Sequence, residues 1–239
     1  VGGYLKQVNR MVSEVSKRMR KEDHEAARLK RLDRYLFAEM GFHGSRTDYY
    51  SRSNSYLNEV IDDREGLPIA VSVLYMELAR RLGLKVVGVG LPGHFVVRFE
   101  PRTGKPQLID PFDRGKRMTG KQAVQRVEFA TRRKFDPQFL VAQSNKAIVE
   151  RMLRNLMGTA ASNEDAEALL RYVETILVLN PDSTRDRWGR AVLNYQTGRL
   201  TEALADAEYV LKNPPDGVNA DSVRRLKVVV ERRLSENGR

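Results

Sequence analysis

The feature that most constrains the fold is the apolar stretch 69–82, in which apolar residues fall on nearly every face of a helix. Gly66-Leu67-Pro68 precedes it and Gly83 follows it. Proline suits the first turn of a helix because its missing N–H would be unpaired there anyway, and glycine suits the far end. A helix that is apolar nearly all round is buried. The sequence therefore predicts a central helix that other elements must cover.

Short segments rich in β-branched and aromatic residues follow this helix and indicate strands. They occupy residues 86–89, 95–99 and 107–110, and the segment 102–105 has the composition of a hairpin turn. A buried helix followed by an antiparallel sheet predicts an α+β fold.

The residues before the central helix divide into a helical part and an irregular part. Apolar residues recur with helical spacing between residues 4 and 40, and Gly41 and Gly44 end that pattern. Residues 45–65 are polar and rich in turn formers. We therefore expect helix over 4–40, within an N-terminal helical segment, 1–44.

After about residue 140 the chain is helical again, and it repeats. Pro181 and Pro215 stand 34 residues apart, and each follows a long apolar helix. Neighbouring units of such a repeat stack their helix pairs and cover each other's apolar faces. We expect a core at 45–140 and an all-α module of helical repeats, with a capping helix, over 141–239; ordinary amphipathic helices remain the alternative. Small, turn and stop residues occupy tetratricopeptide-repeat positions in the second unit: Ala191, Gly198, Ala203, Ala207 and Pro215.

The chain is strongly basic, with a net charge of +11 and a pI of about 9.9. Between residues 98 and 134, 11 Lys or Arg face 4 Asp or Glu. Such a stretch serves either as a solvated face or as a contact for an acidic partner, including nucleic acid. Aromatic residues are not interleaved with these charges as a base-stacking platform requires, so nucleic acid is the weaker alternative.

Cysteine is absent from the sequence, which excludes a disulfide, a thiolate nucleophile and a zinc site with sulfur ligands. No apolar run approaches the roughly 20 residues that a membrane-spanning helix needs. No basic-then-apolar signal segment opens the sequence, which begins at a valine. The expected location is the cytoplasm.

Four motifs carry a resemblance to a known family. Over residues 45–235 the chain resembles the SirB family, a transglutaminase-like branch that carries tetratricopeptide repeats after its core. The resemblance implies a papain-like layout, in which a central helix packs against an antiparallel sheet. The motifs are Asn54-Ser55-Tyr56-Leu57, Gly66-Leu67-Pro68-Ile69, Leu91-Pro92-Gly93-His94-Phe95 and Ile109-Asp110-Pro111-Phe112.

The resemblance also implies where a catalytic site would lie. Active transglutaminase-like enzymes carry a cysteine at the start of the central helix, a histidine on one strand and an aspartate on the next. The helix N-terminus lowers the pKa of the thiol, the histidine takes the proton, and the carboxylate orients the imidazole. His94 and Asp110 match the histidine and the aspartate, whereas Pro68 occupies the nucleophile position. Proline has no nucleophile, so we expect cysteine catalysis to be lost.

Two roles remain open for the residues around this position. Ser72 follows Pro68 by one helical turn, and a Ser72–His94–Asp110 triad would make the protein a hydrolase. Inside a helix, however, a serine normally bonds the carbonyl four residues back. The histidine and the aspartate either bind a ligand or brace the fold. The candidate cleft comprises Asn54, Tyr56, Asn58, Pro68, Ser72, His94 and Asp110, and its first three members rest on resemblance alone.

No metal ion or cofactor is expected. The three histidines, His24, His43 and His94, do not have metal-ligand spacing, and no carboxylate cluster completes a site. Residues 88–93 have the spacing Gly-x-Gly-x-x-Gly, but a phosphate-binding loop needs a helix after it, and a strand-like segment follows here.

The leading hypothesis is a non-catalytic protein that binds a protein or peptide through its helical repeats. A hydrolase and a nucleic-acid-associated factor are the alternatives, and no oligomeric state is predicted. Four arginines near the second repeat could meet an acidic segment of a partner: Arg171, Arg185, Arg187 and Arg190.

Overall fold

The computed structural model describes residues 2–49, 51–132 and 134–237. The chain forms two compact units, one that ends at Ile148 and one that begins at Val149. The first unit is α+β, as predicted, and includes the N-terminal helices that sequence analysis sets apart. The second unit is built from helices.

The apolar stretch that opens the sequence argument is the central helix α4, Pro68–Arg81. Proline occupies its first turn and Gly83 follows it with a φ of 73°, as the prediction requires. The helix contacts other helices of the first unit and also its sheet. Nine of its residues are buried: Pro68, Ile69, Ala70, Val71, Ser72, Leu74, Tyr75, Leu78 and Ala79.

A four-stranded antiparallel sheet packs on α4 in the order β3-β4-β5-β6. The strands are β3 (Val86–Leu91), β4 (His94–Phe99), β5 (Gln107–Asp110) and β6 (Lys116–Met118). The first three were predicted, and β6 was not. Helix α5, Gly120–Thr131, follows the sheet and buries Ala123 and Val127 against β3 and β4.

The N-terminal prediction of one helix over 4–40 is wrong. Helix α1 spans Gly2–Lys17, helix α2 spans Glu25–Asp33, and a π-helical turn at Arg34–Glu39 completes the segment. A turn separates α1 from α2 because its side chains bind backbone N–H groups. Asp23 accepts from the Arg20 N–H, and the His24 ring caps α2 by accepting from the Ala27 N–H.

The segment between the N-terminal helices and α4 is short and irregular. A 3₁₀ turn, Arg52–Ser55, precedes helix α3, Leu57–Asp63. Two two-residue strands pair in parallel: β1, His43–Gly44, and β2, Glu65–Gly66. Gly44 is required because a Cβ there would lie about 2.1 Å from the Phe112 ring, well inside van der Waals contact.

The second unit contains the predicted repeat. Its helices are α6 (Asn145–Ser162, which begins in the first unit), α7 (Ala166–Leu179), α8 (Thr184–Gln196), α9 (Leu200–Lys212) and α10 (Ala220–Asn237). The repeat of 34 residues is visible in the backbone. Glu164 and Gly198, 34 residues apart, both have positive φ, 53° and 79°. The repeats therefore share a turn, but only the second has glycine in it.

Across the described residues, no helix has the length and apolarity that crossing a bilayer requires.

The turn shared by the repeats yields a first prediction. An L-residue in the left-handed region costs about 1–2 kcal/mol, partly offset by the extra chain entropy that glycine loses on folding. We expect Glu164→Gly to stabilise the second unit by about 0.5 kcal/mol and Gly198→Ala to destabilise it by a similar amount. Urea unfolding followed by fluorescence of Trp188, the single tryptophan, measures both changes. The same sign of change in both variants would contradict the prediction.

A second prediction concerns Glu77 on α4. The hydrogen bond from Arg80 lowers the pKa of Glu77; burial opposes this, Arg81 adds to it, and the resulting pKa is about 2. The unfolded chain binds this proton near pH 4.5, so the folded state gains stability above that pH and loses it as the pH falls towards 2.

Because Glu77 is partly exposed, we expect a contribution of at most about 1 kcal/mol. Urea unfolding of Glu77→Gln, followed by circular dichroism, should show a deficit relative to wild type at pH 7 that vanishes near pH 2. Glu22→Gln, at an exposed residue, is the control. A deficit independent of pH would show that the ion pair is not its source.

Candidate functional site

The predicted histidine–aspartate pair is formed. His94 is the first residue of β4 and Asp110 the last of β5, and His94 Nε2 lies 2.8 Å from Asp110 Oδ2. Both side chains are buried, with 8% and 3% of the residue exposed. A hydrogen bond to a buried carboxylate fixes the orientation of an imidazole ring. The geometry is that of an orienting carboxylate beside a histidine.

Arg126 of α5 is a third member of this site. Its Nη1 donates to the same Asp110 Oδ2 at 3.0 Å. Two donors therefore share one carboxylate oxygen, which offsets the cost of burying the charge. Sequence analysis missed Arg126, since its only signal was membership of the basic stretch 98–134.

Phe112 encloses the pair from the turn that follows β5. Its ring meets the His94 ring edge-on, with centroids 5.8 Å apart. Tyr49 also packs edge-on against Phe112, with centroids 6.4 Å apart. The turn itself is held by backbone bonds, because the Gly115 N–H donates to the Asp110 carbonyl at 2.9 Å. The Asp-Pro-Phe motif thus supplies both the carboxylate and the aromatic wall.

The nucleophile position at the start of α4 is closed. Pro68 is buried in the first turn of the helix, and the residue before it, Leu67, donates its backbone N–H to the Asn54 carbonyl at 2.8 Å. The backbone group that precedes the helix is therefore already bound. Neither residue offers a group that could attack a substrate.

Ser72, the alternative nucleophile, lies inside the protein. The residue is fully buried, and its Oγ has no hydrogen-bond partner among the described residues. It therefore bonds neither His94 nor the carbonyl four residues back, which was the expected alternative. General-base activation requires the serine oxygen within hydrogen-bond reach of the histidine.

The three other cleft candidates lie in the segment before α4. Asn54 is buried and its side-chain amide donates to the backbone carbonyl of Asp48, so it braces the loop before α3. Asn58 donates to the neighbouring Glu59 carboxylate at 2.6 Å. Tyr56 is exposed, at 37%, and precedes α3 as its N-cap residue. The hydrogen bonds of Asn54 and Asn58 therefore stay within this segment.

A second network of polar side chains centres on Asp33, a half-buried carboxylate at the end of α2. Asp33 accepts from the Tyr75 hydroxyl and from Arg117 Nη2, both at 2.6 Å. Burial raises the pKa of Asp33, and the two hydrogen bonds oppose that rise. Burial, together with the nearby carboxylate, raises the pKa of Tyr75 well above its ordinary value. This network ties α2, α4 and β6 together.

Two of the four arginines predicted to meet a partner are engaged within the second unit. Arg190 binds the buried Asp206 through two hydrogen bonds, at 2.7 and 2.8 Å. Arg187 lies over the Tyr209 ring, with its guanidinium carbon 4.1 Å from the centroid. These two side chains therefore stabilise the packing of α8 on α9 and are not free to meet a partner. They do so because Asp206 and Tyr209 lie on the facing helix, α9. Only the remaining pair is fully at the surface: Arg171 and Arg185.

Within the described ranges, no group of three or more His, Asp or Glu side chains is arranged to hold a metal ion.

Comparison with known proteins places both units. Residues 3–154 match the transglutaminase-like superfamily, and residues 156–226 match the tetratricopeptide repeat. No solved structure matches the chain.

Several proteins are similar over most of the chain. A UPF0162 protein of Xylella fastidiosa is 33% identical over 198 residues, which cover 81% of this chain and 70% of the relative. Protein SirB1 of Salmonella typhimurium is 23% identical over 224 residues, 91% of this chain and 81% of the relative. Human F-box only protein 21 is 29% identical over 160 residues, 63% of this chain and 25% of the relative. The predicted resemblance to the SirB family is confirmed.

The shared carboxylate yields a third prediction. Asp110→Asn removes the charge that both His94 and Arg126 contact, and we expect a loss of about 2–3 kcal/mol in the free energy of unfolding. Arg126→Gln should cost about 1 kcal/mol or less, because that side chain is 43% exposed. Urea unfolding followed by circular dichroism measures both losses.

Asp113→Asn is the matched control, since this aspartate lies in the same turn with 39% of its side chain exposed. If Asp110→Asn and Asp113→Asn destabilise the protein equally, the shared carboxylate is not a stabilising centre.

Proposed function

Because the chain belongs to the transglutaminase-like superfamily and continues into tetratricopeptide repeats, we propose that it is a non-catalytic interaction protein. Its helical repeats bind a protein or peptide partner, and its core has the catalytic layout without the nucleophile. The binding function agrees with the repeat class, whose stacked helix pairs present extended surfaces to other chains.

One observation carries the proposal: Pro68 is buried at the position where the layout needs a nucleophile, in a chain without cysteine. The histidine and the carboxylate persist, but they have nothing to activate. The exchange of a reactive group for a helix-starting residue favours a structural use of the core. Binding is then the property left to the molecule.

The hydrolase alternative has weaker support. Ser72 Oγ is inaccessible and unpaired, so a substrate would have to enter the core beside α4 to meet it. Asp110 also accepts a hydrogen bond from Arg126, which suits a structural brace. We therefore assign His94 and Asp110 to holding the sheet ends together.

The nucleic-acid alternative has one observation in its favour. The second unit has 14 Lys or Arg and 14 Asp or Glu, so the other 28 basic and 17 acidic residues give the first unit the whole net charge of +11. The repeat unit is therefore neutral overall. Steep salt dependence of binding would instead mark a nucleic acid on the first unit.

The test starts from partner capture with the full chain, followed by reconstitution of the complex from purified components. Affinity is then measured by calorimetry for wild type and for Arg185→Glu, whose side chain is exposed on α8. We expect charge reversal on the repeat surface to weaken binding about tenfold, whereas Lys212→Glu, exposed at the end of α9, should not. His94→Ala, checked for folding by its melting temperature, should keep the partner.

Two outcomes would overturn the proposal. One is loss of the partner in a folded His94→Ala variant but not in Arg185→Glu, which would place binding on the core. The other is covalent labelling by a fluorophosphonate in wild type that disappears in Ser72→Ala, which would make the protein a serine hydrolase.

A further inference from the structure

A cavity of about 450 Å³ lies in the first unit and is lined in part by Phe112, the residue whose ring also packs on His94. Its volume falls within the range of small-molecule sites, roughly 300–1,000 Å³. None of the residues predicted as site residues lines it. The lining residues are His43, Gly44, Arg46, Thr47, Glu65, Phe112, Asp113 and Arg114.

Three chain segments meet to build this cavity. Strands β1 and β2 pair in parallel, and the register sets His43 opposite Glu65. Residues directly paired in neighbouring strands point to the same face of a sheet, so both side chains reach the cavity. The third segment is the turn after β5, which is attached to β1 because the Gly44 N–H donates to the Phe112 carbonyl at 2.9 Å.

The charges in the cavity are balanced, but they are not all paired. Arg46 and Asp113 form an ion pair at 2.9 Å. The side chains of Glu65 and Arg114 form no hydrogen bond or ion pair with any part of the chain that the structure describes. One free negative charge and one free positive charge therefore line the same cavity, beside an aromatic ring.

Arg114 is also held in an unfavourable backbone conformation. Its φ is 51°, in the left-handed region that costs an L-residue about 1–2 kcal/mol. The adjacent Gly115 also has positive φ, so the turn needs this shape at two successive positions. Residues held in sparsely populated backbone conformations cluster at active sites and ligand clamps, although they also occur in ordinary turns. The strain is a second observation, independent of the charges.

We propose that this cavity binds a small zwitterion, a compound that carries an ammonium group, a carboxylate and a short apolar group. Arg114 binds the carboxylate, Glu65 binds the ammonium group, and the apolar group packs on Phe112. Free amino acids and dipeptides share this chemistry. The site goes beyond the proposed binding of a protein by the repeats, and neither depends on the other.

Each partner follows from charge and shape. A guanidinium group pairs with a carboxylate through two parallel hydrogen bonds, which gives direction as well as strength. An ammonium group can donate three hydrogen bonds, and the Glu65 carboxylate and the neighbouring His43 can accept them. The His43 Nδ1 lies 3.1 Å from the Gly44 carbonyl, which can only accept, so Nδ1 donates and Nε2 is the nitrogen that can accept when the ring is neutral.

The first arm of the test uses wild-type protein and three matched probes in an NMR titration of backbone amides. L-leucine carries both charges, N-acetyl-L-leucine lacks the ammonium group, and L-leucinamide lacks the carboxylate. We expect L-leucine to shift the amides of Gly44, Thr47 and Asp113 in a saturable way. Each blocked probe should bind about tenfold more weakly, the loss expected for one charge-assisted hydrogen bond.

The second arm assigns each charge to its residue. Glu65→Gln should weaken the binding of L-leucine about tenfold but leave the binding of N-acetyl-L-leucine unchanged. Arg114→Gln should also weaken the binding of L-leucine about tenfold but leave the binding of L-leucinamide unchanged. Glu65→Gln keeps the side-chain size, and Arg114→Gln keeps a polar side chain and the positive φ at this position while removing the charge. Lys121→Gln, at an exposed position on α5, is the control and should change nothing.

L-leucylglycine distinguishes the two sources of zwitterion. Tighter binding than L-leucine would assign the site to short peptides, and weaker binding would assign it to free amino acids; either supports the proposal. No saturable shift of the lining amides with any zwitterion would overturn it. So would equal binding of the blocked and unblocked probes, or variants that bind L-leucine as wild type does.

Discussion

Burial of α4 on almost every side is the constraint on which the first unit depends. The sheet contacts the helix through β3 and β4, and α1, α2 and the short strands contact it elsewhere. No element can withdraw from this helix without exposing apolar surface, which is unfavourable by about 25 cal/mol per Å². The order of elements around α4 therefore fixes where the ends of β4 and β5 lie, and with them His94 and Asp110.

One arrangement of polar groups recurs in the protein, a buried or half-buried aspartate bound by an arginine from a neighbouring element. Asp110 is bound by Arg126, Asp33 by Arg117, and Asp206 by Arg190. A planar guanidinium group can bind both oxygens of a carboxylate in a fixed geometry, as Arg190 does with Asp206, whereas a lysine acts as a point charge. Such pairs add little net stability over apolar packing, but they fix which elements are neighbours. In the case of Asp110, the carboxylate that orients His94 is also the one that attaches α5 through Arg126.

The sequence predicted the features that depend on local patterns. Proline and glycine at the ends of α4, the β-branched strands, and the residues of the Pro-Gly-His-Phe and Asp-Pro-Phe motifs led to the correct fold and to the His94–Asp110 contact. Features that depend on distant residues escaped prediction. Arg126 is identified only once α5 is seen beside β5, and the break after α1 depends on which side chains bind the turn. Arg190 shows the same limit, because its partner Asp206 lies on another helix.

The buried proline at the start of α4 has a consequence for the chemistry that this position allows. A cysteine placed at position 68 would be as buried as Pro68 is, and apolar surroundings raise the pKa of a thiol and keep it protonated. The same exchange would remove the fixed φ that favours the first turn of the helix. Thiol chemistry at this position would therefore require several coordinated changes, including an opening of the core around the helix start.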